Sequence, residues 1–281
     1  VNLMVLNNKK YKLNHLKTIC STGSPLSEDS FNFIYKKVKS KVHLASISGG
    51  TDIVSCFVLG NIYDPVIAGR IQNKGLGMDV DILNDSGKSI KNKKGELVCR
   101  NAFPTMPLKF WNDKNNIKFK KAYFNRFNNV WHHGDYAEEK KTGGFIIYGR
   151  SDTTLNPGGV RLGTSEIYSE VEKFKEIKES IAIGQSWGND IRIVLFVVMN
   201  KNYKLNNGLI KKIKIQIRTN ASPRHVPSKI LNVIDIPRTK NGKIVELAVK
   251  NIIEGNKVKN KEALANPDIL NEFKNLKELQ Y

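Results

Sequence analysis

The sequence predicts an α/β fold divided into two domains, and three observations lead to this prediction. An apolar strand, an amphipathic helix and a second apolar strand follow one another near the start, as in an α/β layer. Apolar and polar residues alternate between positions 71 and 100, which is typical of β-hairpins. Beyond position 150, strands and helices make an α+β unit of about 100 residues, enough for a separate domain.

The first layer begins with the apolar segment 16–20, which predicts a strand. The polar loop STGSPLS follows, and Ser27 is placed to cap a helix with apolar residues at i, i+3, i+4 and i+7. These residues are Phe31, Ile34, Tyr35 and Val38. A second strand, 42–48, leads into a polar turn at 49–52 and another strand, so we expect a site at a strand end.

The middle of the chain is predicted to form hairpins. Met78, Val80 and Ile82 alternate with polar residues before a turn at 85–87 and the strand GELVCR. This pattern indicates a hairpin-rich β region.

A glycine-rich stretch, GRSDTTLNPGGVRLG, separates the two predicted domains. It follows an apolar strand at 145–150 and precedes the amphipathic helix TSEIYSEVEKF. Further strands are predicted at ESIAIG, IRIVLFVVM and KILNVIDI, and a helix at NGLIKKIKIQIR. We place the boundary at Arg150 to Asp152, which gives domains of residues 1–151 and 152–281.

The composition argues against several classes of protein. The longest apolar run, IVLFVVM, is about a third of the roughly 20 residues that cross a bilayer, so no membrane span is expected and a cytoplasmic location is the default. The three cysteines have no disulfide or zinc-ligand pattern and are expected to be ordinary core or strand residues. The net charge of +20 allows attraction to nucleic acid, anionic lipid or polyphosphate ligands, although the lysines form no single block.

Four polar clusters stand at the ends of apolar segments, where backbone N–H groups and side chains can meet a phosphate or a ribose. They are STGSP at 21–25, SGGTD at 48–52, HHGD at 132–135 with GRSD at 149–152, and PRTKNGK at 237–243. Taken singly, each has a plainer interpretation as a turn, a cap, a surface ion pair or a solvated lysine. His132 and His133 lack the spacing of a zinc site or a catalytic triad, so they are expected to be polar loop residues.

Taken in order, the clusters resemble the adenylate-forming superfamily of acyl-CoA synthetases, luciferases and peptide-synthetase adenylation domains. GRSDTTLNPGGVRLGTSEI is similar to the hinge motif of the superfamily, HHGD to its TGD motif and PRTKNGKI to its C-terminal lysine motif. HLASISGGTDIVSCF, WHHGDYAE and NASPRHVP resemble most closely the branch that acts on acetoacetate. The resemblance implies the C-terminal part of a large domain, α/β with a β-barrel-like portion, followed by a small mobile α+β domain.

The resemblance also implies a two-step ligase reaction that uses ATP, Mg²⁺ and CoA. Acetoacetate would attack the α-phosphate of ATP to give acetoacetyl-AMP and diphosphate, and the thiol of CoA would then displace AMP. Charge that develops on a polyanion needs fixed cations, and the loss of one such group commonly costs about 2.7–4 kcal/mol of barrier. The implied partners are these small molecules, with no nucleic acid and no membrane span, and the oligomeric state is left open.

Roles are carried over residue by residue from the resemblance. Lys243 is implied in adenylate formation and Arg161 in contact with the phosphates, Asp152 is the implied hinge, and Asp52 is the implied metal ligand where relatives more often have glutamate. The implied residues for ATP and CoA are Gly23, Ser24 and Pro25 against adenine, Thr51 near the α-phosphate, Asp135 and Arg150 at the ribose, and Gly159 beside the pantetheine tunnel.

Two departures from the superfamily pattern have consequences. Gly49 is implied to leave room in the acyl pocket for a longer acid, because acetate-specific relatives carry a bulky tryptophan near this position. The Ser/Thr/Gly-rich phosphate loop of the superfamily is not found ahead of STGSP, and the chain begins at Val1 without Met. We therefore expect only the rear part of the large domain, with little or no synthetase activity on its own.

Two other functions stay open. The enzyme could use another short-chain or branched acid, which a panel of acids would decide. Alternatively, the chain could be a non-catalytic basic module that binds nucleic acid by counterion release. Against this second alternative, the aromatic residues are not interleaved with the lysines as in RNA-recognition motifs.

Overall fold

The structure is a computed structural model that describes residues 13–258 and 260–280 of the chain. The start at Val1, which underlies the expectation of a missing front portion, lies outside the described residues. Helices and strands are mixed throughout the described part, so the predicted α/β class is confirmed.

Two compact units divide the chain between Ile147 and Tyr148. Each unit has an apolar core of its own. The predicted domain boundary at residues 150–152 lies a few positions later, and it stays a prediction. In the part of the chain that the structure describes, no helix combines the length and the apolar character needed to cross a membrane.

Three sheets are found among the described residues of the first unit. β1 (Thr18–Ser21) and β2 (His43–Ser46) form a parallel pair. The remaining strands are β3 (Ser48–Gly50), β4 (Ser55–Leu59), β5 (Asn73–Lys74), β6 (Val80–Leu83), β7 (Gly95–Cys99), β8 (Trp131–Glu139) and β9 (Phe145–Arg150). They form one sheet of order β3–β4–β5 and another of order β6–β7–β8–β9.

The first predicted helix is confirmed together with its cap. α1 (Glu28–Phe33) begins after Ser27, whose Oγ accepts a hydrogen bond from Ser30 N, and a π-helical turn continues it through Ile34–Val38. Phe31 and Ile34 are buried there. A second helix, α2 (Ile117–Tyr123), was not predicted. It covers an aromatic core in which Phe119 meets Trp131 edge-on, with ring centroids 6.0 Å apart.

The strand predicted around Val80 and Ile82 is present as β6, and all four of its residues are buried. Asp81 is kept inside by its partners: Ser89 Oγ donates to Asp81 Oδ1 at 2.8 Å, and Arg100 Nη2 pairs with Asp81 Oδ2 at 2.6 Å. A buried carboxylate is tolerated when it is paired and hydrogen-bonded.

The prediction that His132 and His133 are polar loop residues is wrong. His132 and His133 lie in β8, which pairs with β7. His132 Nε2 lies 2.8 Å from the Oε2 atom of the buried Glu96, and His133 is itself buried. The two histidines are therefore accommodated inside the unit because β8 pairs with β7 and Glu96 lies beside His132.

The second unit contains a three-stranded sheet. Its strands are β10 (Ile177–Trp187), β11 (Asp190–Met199) and β12 (Lys229–Asn232), in that order, with β11 antiparallel to β10 and parallel to β12. Its helices are α3 (Thr164–Val171), α4 (Asn207–Asn220) and α5 (Glu246–Ile253). The three strands and the helices α3 and α4 lie in segments where the sequence predicts the same type of element, whereas α5 was not predicted.

Both faces of this sheet are covered. Alternate residues of β11 contribute to two cores: Ile193, Leu195 and Val197 face one core, while Val194 and Phe196 face the other. Residues of α3 and α4 complete the first core, and residues of α5 with the segment Pro267–Phe273 complete the second. The three cysteines of the chain are free and lie in strands, as predicted.

Candidate functional site

The loop predicted to lie against adenine directly follows β1. Gly23, Ser24 and Pro25 are exposed. Ile47 N donates to Ser21 O over 2.9 Å, which places the start of this loop beside the start of β3. The loop thus leaves the carboxyl end of a parallel strand pair, where α/β sheets commonly bind ligands.

Asp135 is fixed at the same edge. It lies in β8, is 6% exposed, and its Oδ2 accepts a hydrogen bond from Ser48 Oγ over 3.0 Å. Ser48 begins β3, so this bond joins Asp135 to the segment that leads into the Thr51 turn. A carboxylate held in this way is an oriented acceptor, which is what a ribose diol requires.

Asp52 is held by a tyrosine that the sequence did not single out. Thr51 and Asp52 are exposed in the 3₁₀ turn Thr51–Ile53. Tyr123 Oη donates to Asp52 Oδ2. The ring of Tyr123 stacks on Trp131, with centroids 3.7 Å apart and planes 14° apart. The position of the carboxylate is therefore coupled to the aromatic core.

Gly50 brings Asp52 and His133 close together. A Cβ at this position would overlap Asp52 Oδ1 and come within 2.9 Å of His133 Cε1. His133 lies two residues before Asp135 and packs edge-on against Phe57, with ring centroids 4.7 Å apart. Asp52 and Asp135 therefore flank one short stretch of β3 and its following turn.

Gly49 has a packing explanation that the sequence did not reveal. It lies in β3 and not in a turn, and a Cβ there would overlap Ser55 O and come within 2.6 Å of Cys56 Cα in β4. The absence of a side chain allows the two strands to pair closely at a register shift. The role of Gly49 in an acyl pocket stays a prediction.

Arg150 and Asp152 lie together at the start of the second unit. Arg150 ends β9 and Asp152 lies in the 3₁₀ turn Ser151–Thr153, with 3.7 Å between Arg150 Nε and Asp152 Oδ1. Each side chain is about half exposed, at 48% and 51%. Surface pairs of this kind contribute little to stability, and both side chains are partly accessible to solvent.

A partly buried acid lies beside this pair. Glu246, in the first turn of α5, accepts a hydrogen bond from Tyr168 Oη over 3.1 Å, and Tyr168 Oη accepts one from Ala182 N over 3.0 Å. Burial raises the pKa of Glu246, and the negative charge of Asp152 raises it further, whereas Tyr168 and Arg150 act in the opposite direction. Burial and the charge of Glu246 likewise raise the pKa of Tyr168 well above its usual value, so the phenol stays neutral and donates.

The loop of Gly159 and Arg161 is closed at its base by a bridge between Leu155 and Leu162. Gly158 N donates to both carboxylate oxygens of Asp190, over 2.9 and 3.0 Å. Gly159 is exposed with φ of +75°, and no described atom lies within 4 Å of where its Cβ would be. A ligand can therefore approach the backbone of this loop closely.

Lys243 lies in an exposed turn, as predicted. Arg238 and Ile244 pair in an isolated bridge at its base, and Thr239 N donates to Lys243 O over 2.8 Å. Gly242, directly before the lysine, has φ of +80°. In the described part of the chain, Lys243 Nζ makes neither a hydrogen bond nor an ion pair, so its charge is available to a ligand.

The predicted residues thus gather separately within each unit. In the first unit, the loop at 23–25, the Thr51–Ile53 turn and Asp135 meet at one strand edge. In the second, Arg150 lies near Asp152, while the Gly159 loop and the Lys243 turn are exposed. Sequence reasoning missed the supporting residues Ser48, Tyr123, Tyr168 and Glu246. For Tyr123, a signal exists in the i, i+4 spacing from Phe119.

No protein-family model matches the chain. The acetoacetyl-coenzyme A synthetase of Rhizobium meliloti (strain 1021) is 57% identical over 272 residues, which cover 97% of this chain and 42% of that protein. The acetoacetyl-CoA synthetase of Gallus gallus is 48% identical over 286 residues, which cover 99% of this chain and 43% of that protein. The chain thus spans about two fifths of the length of the curated relatives it matches.

Solved structures show the same similarity. The acetoacetyl-CoA synthetase from Streptomyces lividans superimposes with a TM-score of 0.88 at 35% identity, covering 98% of this chain and 42% of that one. A benzoate CoA ligase from Burkholderia xenovorans LB400 superimposes with a TM-score of 0.71 at 19% identity, covering 83% of this chain and 45% of that one. The second likeness is evidence of a shared fold only.

Proposed function

Because this chain is a relative of acetoacetyl-CoA synthetases along 97% of its length, we propose that it forms part of an enzyme that joins acetoacetate to CoA with ATP. In the first half-reaction, a carboxylate oxygen of acetoacetate attacks the α-phosphorus of ATP and diphosphate leaves. In the second, the sulfur of CoA attacks the acyl carbon of acetoacetyl-AMP, the thiol proton passes to solvent and AMP leaves.

The observation that carries the proposal is the gathering of nucleotide-binding candidates at one edge of the first unit. The exposed Gly23–Pro25 loop supplies backbone and a small hydroxyl for adenine. Asp135, oriented by Ser48, supplies an acceptor for the ribose hydroxyls. Asp52, oriented by Tyr123, supplies a carboxylate for the phosphate end. These are three different chemistries, and one nucleotide would use all of them.

Asp52 fits a Mg²⁺ ion that is held mainly by ATP. Mg²⁺ usually takes one or two protein carboxylates together with phosphate oxygens and water. Among the described residues, no group of three or more His, Cys, Asp or Glu side chains could hold a metal without such help. Asp52 is exposed and its Oδ2 is oriented by Tyr123. When bound, the ion would neutralise charge on the phosphates.

The candidate cations of the second unit fit the chemistry of the phosphates. Attack on the α-phosphorus concentrates negative charge on the phosphoryl oxygens and on the departing diphosphate, which fixed cations stabilise. Lys243, with no partner among the described residues, would act there, and Arg161 would neutralise phosphate charge beside it. Arg150 would hold the ribose together with Asp135.

Two half-reactions at one site require an exchange of groups around the adenylate. We assign the hinge to Asp152, which would bring Lys243 in for adenylation and the Gly159 loop in for CoA. Asp152→Pro fixes φ at this position and should slow the exchange. Overall turnover would then fall more than either half-reaction measured alone, and equal losses in all three assays would reject the hinge.

The choice of acetoacetate rests on the similarity to relatives and not on Gly49, whose Cβ direction is blocked by β4. The test is thioester formation by a synthetase of the relatives' full length that contains this chain, with acetate, acetoacetate and longer acids offered in turn. We expect the highest kcat/KM with acetoacetate. A higher value with acetate or a branched acid would reject the proposed substrate.

The isolated 281-residue chain provides a second test. We expect it to form little or no acetoacetyl-AMP, because the phosphate loop of the superfamily is not found in it. Acetoacetate-dependent release of diphosphate by the purified chain at the rate of a full-length synthetase would contradict this expectation. Assays with and without acetoacetate separate this activity from background hydrolysis of ATP.

A further inference from the structure

The turn that carries Lys243 is held by a neighbouring arginine. Arg238 Nη1 donates to Gly242 O over 3.0 Å, and Arg238 Nη2 pairs with Glu179 Oε2. Glu179 lies in β10 beside a register shift in its pairing with β11. One planar guanidinium thus joins a strand of the sheet to the residue directly before the lysine.

The backbone of Arg238 is anchored independently of its side chain. Asn266 Oδ1 accepts a hydrogen bond from Arg238 N over 3.0 Å. Asn266 Nδ2 in turn donates to Asp235 Oδ2 and to Ile236 O, each over 3.0 Å. The base of the turn would therefore stay in place without the guanidinium of Arg238. Loss of the guanidinium would affect the far end of the turn, where it bonds to Gly242 O.

That far end has little else to fix it. Gly242 has φ of +80° and no described atom within 4 Å of the place where a Cβ would stand. Glycine populates many backbone conformations, so the direction in which Lys243 leaves the turn depends on what holds the Gly242 peptide. Thr239 bonds within the turn, and Lys240 N donates to Ala263 O. Among the described residues, Arg238 is the group that holds the carbonyl oxygen of Gly242.

We propose that Arg238 is a positioning residue for Lys243, and that the Glu179–Arg238 pair aims the lysine at the reacting phosphate. This inference rests on the proposed function and names a residue that the proposed function does not use. Displacement of a reacting group by about 1 Å can cost on the order of 10²-fold in rate. A lysine in place of Arg238 keeps the charge but lacks the fork that reaches two partners at once.

The test uses Arg238→Ala in a synthetase of the relatives' full length that contains this chain. We expect kcat for acetoacetate-dependent ATP–diphosphate exchange to fall by about 10- to 100-fold with KM for ATP unchanged. Thioester formation from supplied acetoacetyl-AMP should keep its rate, since that step does not use Lys243. Arg238→Lys should recover little of the exchange, and the matched control Lys240→Ala should leave both rates unchanged.

Several outcomes would overturn the inference. Equal losses in both half-reactions would mean that Arg238 supports the fold, and a raised KM for ATP at constant kcat would mean that it binds the nucleotide directly. Hydrogen exchange gives a readout without activity: Arg238→Ala should speed exchange in residues 239–244, and unchanged exchange there would also reject the proposal. Should Arg238→Ala fail to fold, Glu179→Gln is expected to give the same pattern more weakly.

Failure of this inference is distinguishable from failure of the proposed function. If the unaltered synthetase shows no acetoacetate-dependent exchange, the proposed function is wrong. If it shows exchange and Arg238→Ala exchanges at the same rate, only the positioning role is wrong.

Discussion

Two pairs of glycines beside the candidate groups, one pair in each unit, serve different physical purposes. In the first unit, Gly49 and Gly50 have no room for a side chain, because a Cβ would overlap Ser55 O or Asp52 Oδ1. In the second unit, Gly159 and Gly242 have open space around the Cβ position but positive φ, at +75° and +80°. The first pair is required by close packing and the second pair by backbone conformation.

The candidate groups of the two units are also held differently. In the first unit, Asp135 and Asp52 are held by Ser48 and Tyr123, so the groups proposed for ribose and metal are fixed on the scaffold. In the second unit, Lys243 is offered from an exposed turn. The fixed groups of the first unit would hold the nucleotide, while the exposed turns of the second unit would supply groups that are needed at one step only.

Lys243→Ala tests this division most strongly. In a synthetase of the relatives' full length, we expect acetoacetate-dependent ATP–diphosphate exchange to fall by about 10²–10³-fold, as for other groups that stabilise developing charge. Thioester formation from supplied acetoacetyl-AMP and the melting temperature should barely change, because the lysine is exposed and has no partner among the described residues. Equal losses in both half-reactions would make Lys243 a structural residue.

Gly49→Ala should affect stability before it affects chemistry. The added methyl overlaps the backbone of β4, and insertion of an atom into a well-packed place costs about 1–3 kcal/mol. Urea unfolding of the chain measures this cost. Gly49→Asn should be at least as destabilising, since the larger side chain adds to the clash. An unchanged free energy of unfolding in Gly49→Ala would show that the two strands separate easily.

Gly242→Ala should lower the free energy of unfolding by less than Gly49→Ala does. Asparagine should be better tolerated than alanine at position 242, the opposite of the order expected at position 49. An L-residue with positive φ costs about 1–2 kcal/mol, and asparagine tolerates this conformation better than alanine does. We therefore expect Gly242→Asn to recover part of the stability lost in Gly242→Ala. If asparagine is no better than alanine at position 242, the proposed contrast with Gly49 is wrong.

Much of the fold could be predicted because its signals are local. The cap at Ser27 and the helix over NGLIKKIKIQIR depend on neighbours within a few positions, and the structure agrees with both. The strand at Val80–Leu83 could not be predicted fully, because Asp81 is buried through partners at positions 89 and 100. A pattern of single residues does not show which distant groups will pair.

The same limit applies to the candidate site. The order of the motifs points to Asp135, Asp52 and Lys243 as functional residues. The residues that orient them are distant in sequence or unremarkable in type. Tyr123 reaches Asp52 across 71 positions and Glu179 reaches Arg238 across 59. Only the folded chain shows these contacts, which are also the ones that separate an oriented group from a mobile one.

The smallest effect we predict concerns Glu246, the partly buried acid beside the proposed hinge. Because the pKa of Glu246 in the folded chain is raised above the ordinary 4.5, folding binds its proton more tightly than the unfolded chain does. The stability that this provides is full below pH 4.5 and is lost as the pH rises through the folded pKa. Glu246→Gln removes this titration. The free energy of unfolding of the variant should therefore increase relative to that of the unaltered chain as the pH rises.

Urea unfolding at a series of pH values, followed separately for each unit by hydrogen exchange, measures this difference. Tyr168→Phe is the matched variant: its hydroxyl lowers the pKa of Glu246, so its removal should move the pH-dependent loss to higher pH. Ala182 N would also lose its acceptor, which lowers stability at every pH and leaves the shape of the curve as the informative quantity. A constant difference between Glu246→Gln and the unaltered chain would mean that the carboxyl group is solvated. Glu246 would then not be a shielded acid beside Asp152. The contrast between a fixed first unit and an adjustable second unit would depend only on the exposed turns of the second unit.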